Sequence, residues 1–116
     1  MKNFLAIYLG TPDSMQKWDH LSEAEQQQRI QEGMAAWNGW METHKDILVA
    51  EGGPLGKTKR IDSAGVSDIR NNITGYVIVK AESHEAAAKL FEGHPSFSIF
   101  PGDGVEVMEC MPIPTA

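Results

Sequence analysis

The strand-forming runs of this chain are apolar on both faces, and that restricts its choice of fold more than any other feature. In residues 4–9, Phe4, Ala6 and Tyr8 alternate with Leu5, Ile7 and Leu9. Further on, Tyr76 and Ile78 oppose Val77 and Val79, and Val105 and Val107 oppose Met108 and Cys110. A sheet with one face in water should instead alternate apolar and polar residues. Both faces of this sheet therefore need cover.

The order of elements shows how much cover the chain itself supplies. Residues 4–9 read as a buried strand, closed by Gly10, Pro12 and Asp13. Ser22-Glu23-Ala24-Glu25 has the spacing of a capping box, and good helix formers follow it. Apolar residues then recur at Ile30, Met34, Trp37, Met41 and Leu48, beside a second stripe of Ala36, Trp40 and Ile47. This pattern predicts a long helix over 22–51, bent at Asn38-Gly39 and stopped by Gly52-Gly53-Pro54. Residues 55–61 alternate as an edge strand would, and 62–72 read as a loop. Residues 74–81 are rich in β-branched side chains and form the clearest strand. Ser83 caps a shorter helix with Ala86, Ala87, Leu90 and Phe91 inside; 96–104 is a loop, and 105–111 is the last strand.

Strand, helix, strand, strand, helix, strand is the α+β, ferredoxin-like order βαββαβ, with a four-stranded antiparallel sheet and both helices on one face. The 116 residues suit one domain, 1–116. With no helix left for the second face, a second copy packing sheet to sheet is the simplest cover, which predicts a homodimer. The alternative is a monomer with a large ligand cavity over the sheet. A net charge of −6 argues against nucleic acid and anionic membranes as partners. The single cysteine, Cys110, rules out an internal disulfide and reads as a core thiol. The first apolar run is too short for a signal peptide or membrane span, so the cytoplasm is the expected location.

Several segments together resemble the YCII-related (DGPF-domain) family over most of the chain. They are Trp37-Asn38-Gly39-Trp40-Met41, Glu51-Gly52-Gly53-Pro54-Leu55, Ile73-Thr74-Gly75-Tyr76, Ser83-His84-Glu85-Ala86-Ala87 and Val105-Glu106-Val107-Met108-Glu109. The resemblance implies a dimeric α+β barrel. Some members look like enzymes with a histidine on the first helix and an aspartate in an Asp-Pro step after the second. Here those positions hold Ala36 or Trp37 and His94-Pro95, and the DGPF tetrapeptide is absent. The family's acid–base chemistry does not transfer unchanged.

The residues offer their own candidates. His44, near Trp37 and Trp40, has the chemistry for proton exchange near neutral pH, or else is a packed histidine satisfied by backbone. His94 stands where the family's acid would be; its plain alternative is a solvated loop histidine. His20 and His84 read as surface residues. Tyr8 and Tyr76 are pocket candidates because a buried phenol wants a polar partner. Trp37 and Trp40 either pack the helix on the sheet or line the same pocket. Lys57, Lys59 and Arg60 form a cationic cluster; Lys57 and Arg60 suit a carboxylate or phosphate ligand, and equally suit an edge strand protected by charge. His44 and His94 with Asp103, Glu106 or Glu109 lack any local ligand spacing, so no metal is expected. No phosphate-loop or dinucleotide fingerprint surrounds Gly52-Gly53 or Gly102-Asp103-Gly104, and no cofactor is expected. The candidate functions are a small-molecule-binding protein with His-based acid–base catalysis, or a non-catalytic binding module.

Overall fold

The first strand, β1 (Lys2–Leu9), lies in the middle of the main sheet and sends Phe4, Ala6 and Tyr8 into the core. The computed structural model describes residues 1–114. Thr11 caps α1 (Pro12–Asp19), accepting a hydrogen bond from the Ser14 backbone N–H, with proline in the first turn. Ser22 accepts from the Glu25 N–H at 3.1 Å and starts α2 (Glu23–Thr43). A short 3-10 turn at Lys45–Ile47 leads into β2 (Leu48–Pro54). A hairpin of β3 (Thr58–Asp62) and β4 (Gly65–Ile69) follows, then β5 (Ile73–Ala81), α3 (His84–Lys89), α4 (Pro95–Ser98) and β6 (Gly104–Glu109).

The main sheet runs β2-β5-β1-β6 and all its pairings are antiparallel. This is the ferredoxin-like arrangement the element order predicts. Tyr8, Val77, Val79 and Ala81 join Phe4 and Ala6 beneath Ala87 and Phe91, with Trp37 and Trp40 of α2 packed against them. Both helices thus cover one face. On the other face Leu5, Ile7, Leu9, Tyr76 and Ile78 are half-buried and Met108 is exposed. No helix among the described residues is long and apolar enough to cross a membrane.

Four segments differ from the sequence reading, the simplest being the start of the expected 96–104 loop, where Pro95–Ser98 forms α4. The long helix ends at Thr43 rather than near Glu51, and it runs unbroken through Asn38-Gly39. The His44 backbone N–H and ring both turn back onto the Trp40 carbonyl, which closes the helix, and 48–54 becomes the sheet's second strand. Branched Ile47 and Val49, with two glycines after them, suit an extended edge better than a helix. Residues 55–61 consequently do not join the main sheet. Thr58–Asp62 pairs instead with Gly65–Ile69, which reads as loop from polarity alone. Gly65 at φ 114° and an Asp62 carboxylate accepting the Ala64 N–H at 2.9 Å make the tight turn. Cys110 is the fourth difference: its side chain is exposed, not part of the core.

Along α2, Trp37 and Trp40 pack inward while Ile30 and Met34, on the expected apolar stripe, remain exposed. Buried Gly33 lies against the Phe100 ring, leaving no room there for a larger side chain.

Candidate functional site

The segment Gly93-His94-Pro95-Ser96 is built as a helix start. Gly93 turns the chain at φ 66°, His94 occupies the cap position, and Pro95 opens α4. The His94 ring caps its own helix: Nδ1 accepts the Ser96 N–H at 3.1 Å and lies 2.9 Å from Ser96 Oγ. Because Nδ1 is the acceptor, the neutral ring carries its proton on Nε2. The ring is 1% exposed and is enclosed by aromatic side chains. Tyr8 stacks on it with centroids 5.1 Å apart, Trp37 and Trp40 meet it edgewise at 4.8 and 4.9 Å, and Phe91 lies at 5.7 Å. Nε2 has no hydrogen-bond partner among the described residues. Burial, and secondarily the charge of nearby His44, lowers the His94 pKa to about 4, so the ring is neutral at pH 7.

A cavity of about 340 Å³ opens on the other side of this cluster. Tyr8, Trp37, Glu51, Thr74, Tyr76 and Ser96 are among its lining residues, with Met34 and Pro54 adding apolar wall. Its size falls within the range of small-molecule sites. Tyr8 meets Trp37 edgewise at 5.0 Å, and burial pushes its phenol up to about 12, so it keeps its proton. The Thr74 hydroxyl donates to the Tyr8 carbonyl at 3.2 Å. Gly75 lets β2 and the Tyr8 ring close in, since a Cβ there would stand 2.9 Å from the Gly53 carbonyl oxygen and 3.0 Å from Tyr8 Cδ2.

The structure distributes the sequence candidates among three places. Tyr8, Trp37 and Tyr76 line the cavity. His94 stands behind its wall, in contact with Tyr8, Trp37 and Ser96. Trp40 donates its indole N–H to the Leu90 carbonyl at 2.9 Å and lies between the two histidines. His44 ends α2, its Nδ1 2.8 Å from the Trp40 carbonyl oxygen. Lys57 lines a separate groove of about 1090 Å³ at the hairpin base, with Lys59, Asp68 and Arg70. Arg60 pairs with Asp62 at 3.0 Å and Lys59 with Asp68 at 2.6 Å. The groove is the larger of the two, yet its walls are exposed hairpin and charged side chains. The smaller cavity has the aromatic walls of Tyr8 and Trp37 and the buried Ser96, with Glu51 and Thr74 exposed at its edge, and it is the better site on those grounds.

Ser96, Glu51 and Thr74 are cavity residues that sequence reasoning missed. His-Pro-Ser is a helix-start pattern that could have drawn attention to Ser96; Glu51 lies inside the expected helix. His20 is exposed, and His84 stacks on Phe4 at 5.5 Å while its Nε2 meets the Val107 carbonyl at 2.7 Å. Asp103 accepts the Thr11 N–H at 2.6 Å and the Ser14 hydroxyl at 2.7 Å, bonds that hold its carboxyl below the usual range. Among the described residues no group of three His, Cys, Asp or Glu is placed to hold a metal ion.

No family model matches the chain, and no curated protein matches it either. Solved structures do. The 5-chloro-2-hydroxyhydroquinone dehydrochlorinase of Burkholderia phenoliruptrix, in complex with 2,5-dihydroxybenzoquinone, is 22% identical over 94% of this chain and 93% of its own, with a TM-score of 0.56. The two share a fold. A protein from Arabidopsis thaliana is 16% identical over 100% of this chain and 99% of its own, with a TM-score of 0.44.

Proposed function

We propose that this chain is a YCII-related protein of the cytoplasm that binds a small molecule in the aromatic cavity and works as a homodimer. The observation that carries the reading is the Ser96–His94 pair behind the cavity wall. A buried imidazole with an unpartnered nitrogen costs about 1–3 kcal/mol, and the capping bond from the Ser96 N–H returns only about 1 kcal/mol of it. The pair makes sense where the Ser96 hydroxyl must be held in place for something in the cavity. The dehydrochlorinase, whose similar fold holds a small ring compound, supports a ligand of small size.

Binding without His-based turnover is the reading the histidines favour. Neither lines the cavity, and Nδ1 of each is already engaged. His94 is then a residue that positions Ser96 and Tyr8 rather than a proton carrier. A thermal-shift screen against a small-metabolite library tests the site. Thr74→Trp, which fills the mouth from an exposed position, is expected to abolish ligand-induced stabilisation while the free protein melts within a few degrees of the parent. Stabilisation that survives the substitution would place the ligand elsewhere.

The homodimer reading rests on the apolar face of Leu5, Ile7, Leu9, Tyr76, Ile78 and Met108. Light scattering coupled to size exclusion is expected to give twice the chain mass, and Met108→Glu to shift the mass toward the monomer. A parent protein that is monomeric at all concentrations would refute the dimer.

A further inference from the structure

The lining of the cavity has a definite polarity. Glu51 is the only charged side chain among the residues that form it, with no lysine, arginine or histidine opposite. Glu51 also has no ion-pair partner among the described residues, whose bridges are made by other carboxylates. The neutral polar groups point the same way. Thr74 has committed its proton to the Tyr8 carbonyl, so its oxygen is left as an acceptor. Ser96 Oγ lies 2.9 Å from the unprotonated Nδ1 of His94, to which its O–H donates, and the hydroxyl oxygen again keeps its acceptor lone pairs. Three acceptors therefore stand beside the aromatic side chains of Tyr8 and Trp37. Such a lining is complementary to a group with several N–H donors and a positive charge, and aromatic faces attract cations too. It is unsuited to a carboxylate or phosphate, which would meet Glu51 with no compensating cation.

We propose that the ligand of this cavity is a small organic ammonium compound, its charged nitrogen held by Glu51, Thr74 and Ser96 and its apolar part against Trp37 and Tyr8. This rests on the reading of the cavity as the ligand site and names the chemical class that the site takes. The protein's net charge of −6 also favours the approach of a cation. The apparent competitor is the hairpin groove with Lys57 and Arg70, whose charge suits anions and makes the opposite prediction.

Three probes of nearly equal shape separate the outcomes: 2-phenylethylamine as the cation, 2-phenylethanol as its neutral counterpart, and 3-phenylpropanoate as the anion. Binding is read by calorimetry and by the indole signal of Trp37 in NMR spectra. The amine is expected to bind about tenfold more tightly than the alcohol, with the anion weakest, as one strong charge contact would give. Glu51→Gln is expected to reduce the amine's advantage to less than about threefold, whereas Glu85→Gln on α3 leaves it unchanged. Equal or tighter binding of the alcohol or the anion at Trp37 overturns the ammonium assignment and leaves the cavity as a ligand site. A Trp37 signal unmoved by all three probes overturns the assignment and counts against the cavity itself. Should Glu51→Gln fail to fold, the ranking of the three probes on the parent protein still decides.

Discussion

Alanine at position 52 is expected to destabilise the protein by roughly 3 kcal/mol, a drop of about 10–15 °C in melting temperature for a chain of this size. Two effects act together. Gly52 sits at φ 64°, where a side chain is strained, and its added Cβ would collide with the Tyr76 carbonyl oxygen across the β2–β5 pairing. Neither effect is relieved by a side-chain rotation, because the obstacle is backbone. The same position bends β2 between Ala50 and Gly53, where its register with β5 shifts. That bend carries Glu51 and Gly53 to the cavity, so the variant is expected to lose ligand-induced stabilisation as well. Gly39→Ala is the control: nothing lies within 4 Å of its Cβ, and alanine in mid-helix is expected to add up to about 1 kcal/mol. Thermal melts of the two variants beside the parent check both expectations. A Gly52 variant as stable as the parent would contradict the described β2 conformation.

The second large effect is on pH. The folded-state pKa of His94 is about 4 against an ordinary value of 6.5, so the unfolded chain takes up this proton first as pH falls. The stabilisation tied to neutral His94 is complete above pH 6.5 and is lost progressively down to about pH 4. The shift corresponds to on the order of 2–3 kcal/mol after allowance for partial screening. His94→Phe removes the titrating group while keeping an aromatic ring in the cluster. At pH 7 it should cost about 1 kcal/mol for the lost α4 cap. Denaturant melts at pH 7 and 4.5 are expected to show a smaller acid loss for the variant than for the parent. Equal acid losses would mean that His94 is already accessible to protons in the folded protein.

The architecture was legible because it follows from strong, redundant signals. The branched run of 74–81, the capping serines Ser22 and Ser83, and the apolar faces of 4–9 each point to one conformation, and the structure agrees. The second strand was not legible. In 48–54, Leu48, Ala50 and Glu51 satisfy a helical pattern as well as an extended one, and only pairing with β5 decides between them. A helical reading of that strand displaces the residues after it and splits the hairpin of 58–69 between an edge strand and a loop. The hairpin's own turn at Gly65 was the missed clue.

The site was half legible for a related reason. Aromatic candidates on secure elements, Tyr8 and Trp37, do line the cavity. His94 stood out by its place in the sequence, but a histidine before proline reads as a surface residue, and only the surrounding rings reveal it as fully buried. Glu51 lay on the misread strand. Ser96 contributes through a bond to the residue two before it, a local device that hydrophobic periodicity does not register.

The central claim is that the small cavity between α2 and the β2–β5 end of the sheet is where this protein holds its ligand. Amide and indole NMR spectra recorded during titration with 2-phenylethylamine test it most directly. The account predicts that shifts concentrate at the Trp37 indole and at the Glu51, Gly53, Gly75 and Ser96 amides, with Lys57 and the Asp68–Asn71 stretch unmoved. Shifts confined to the hairpin groove, or spread thinly over the surface with the Trp37 indole silent, would contradict it.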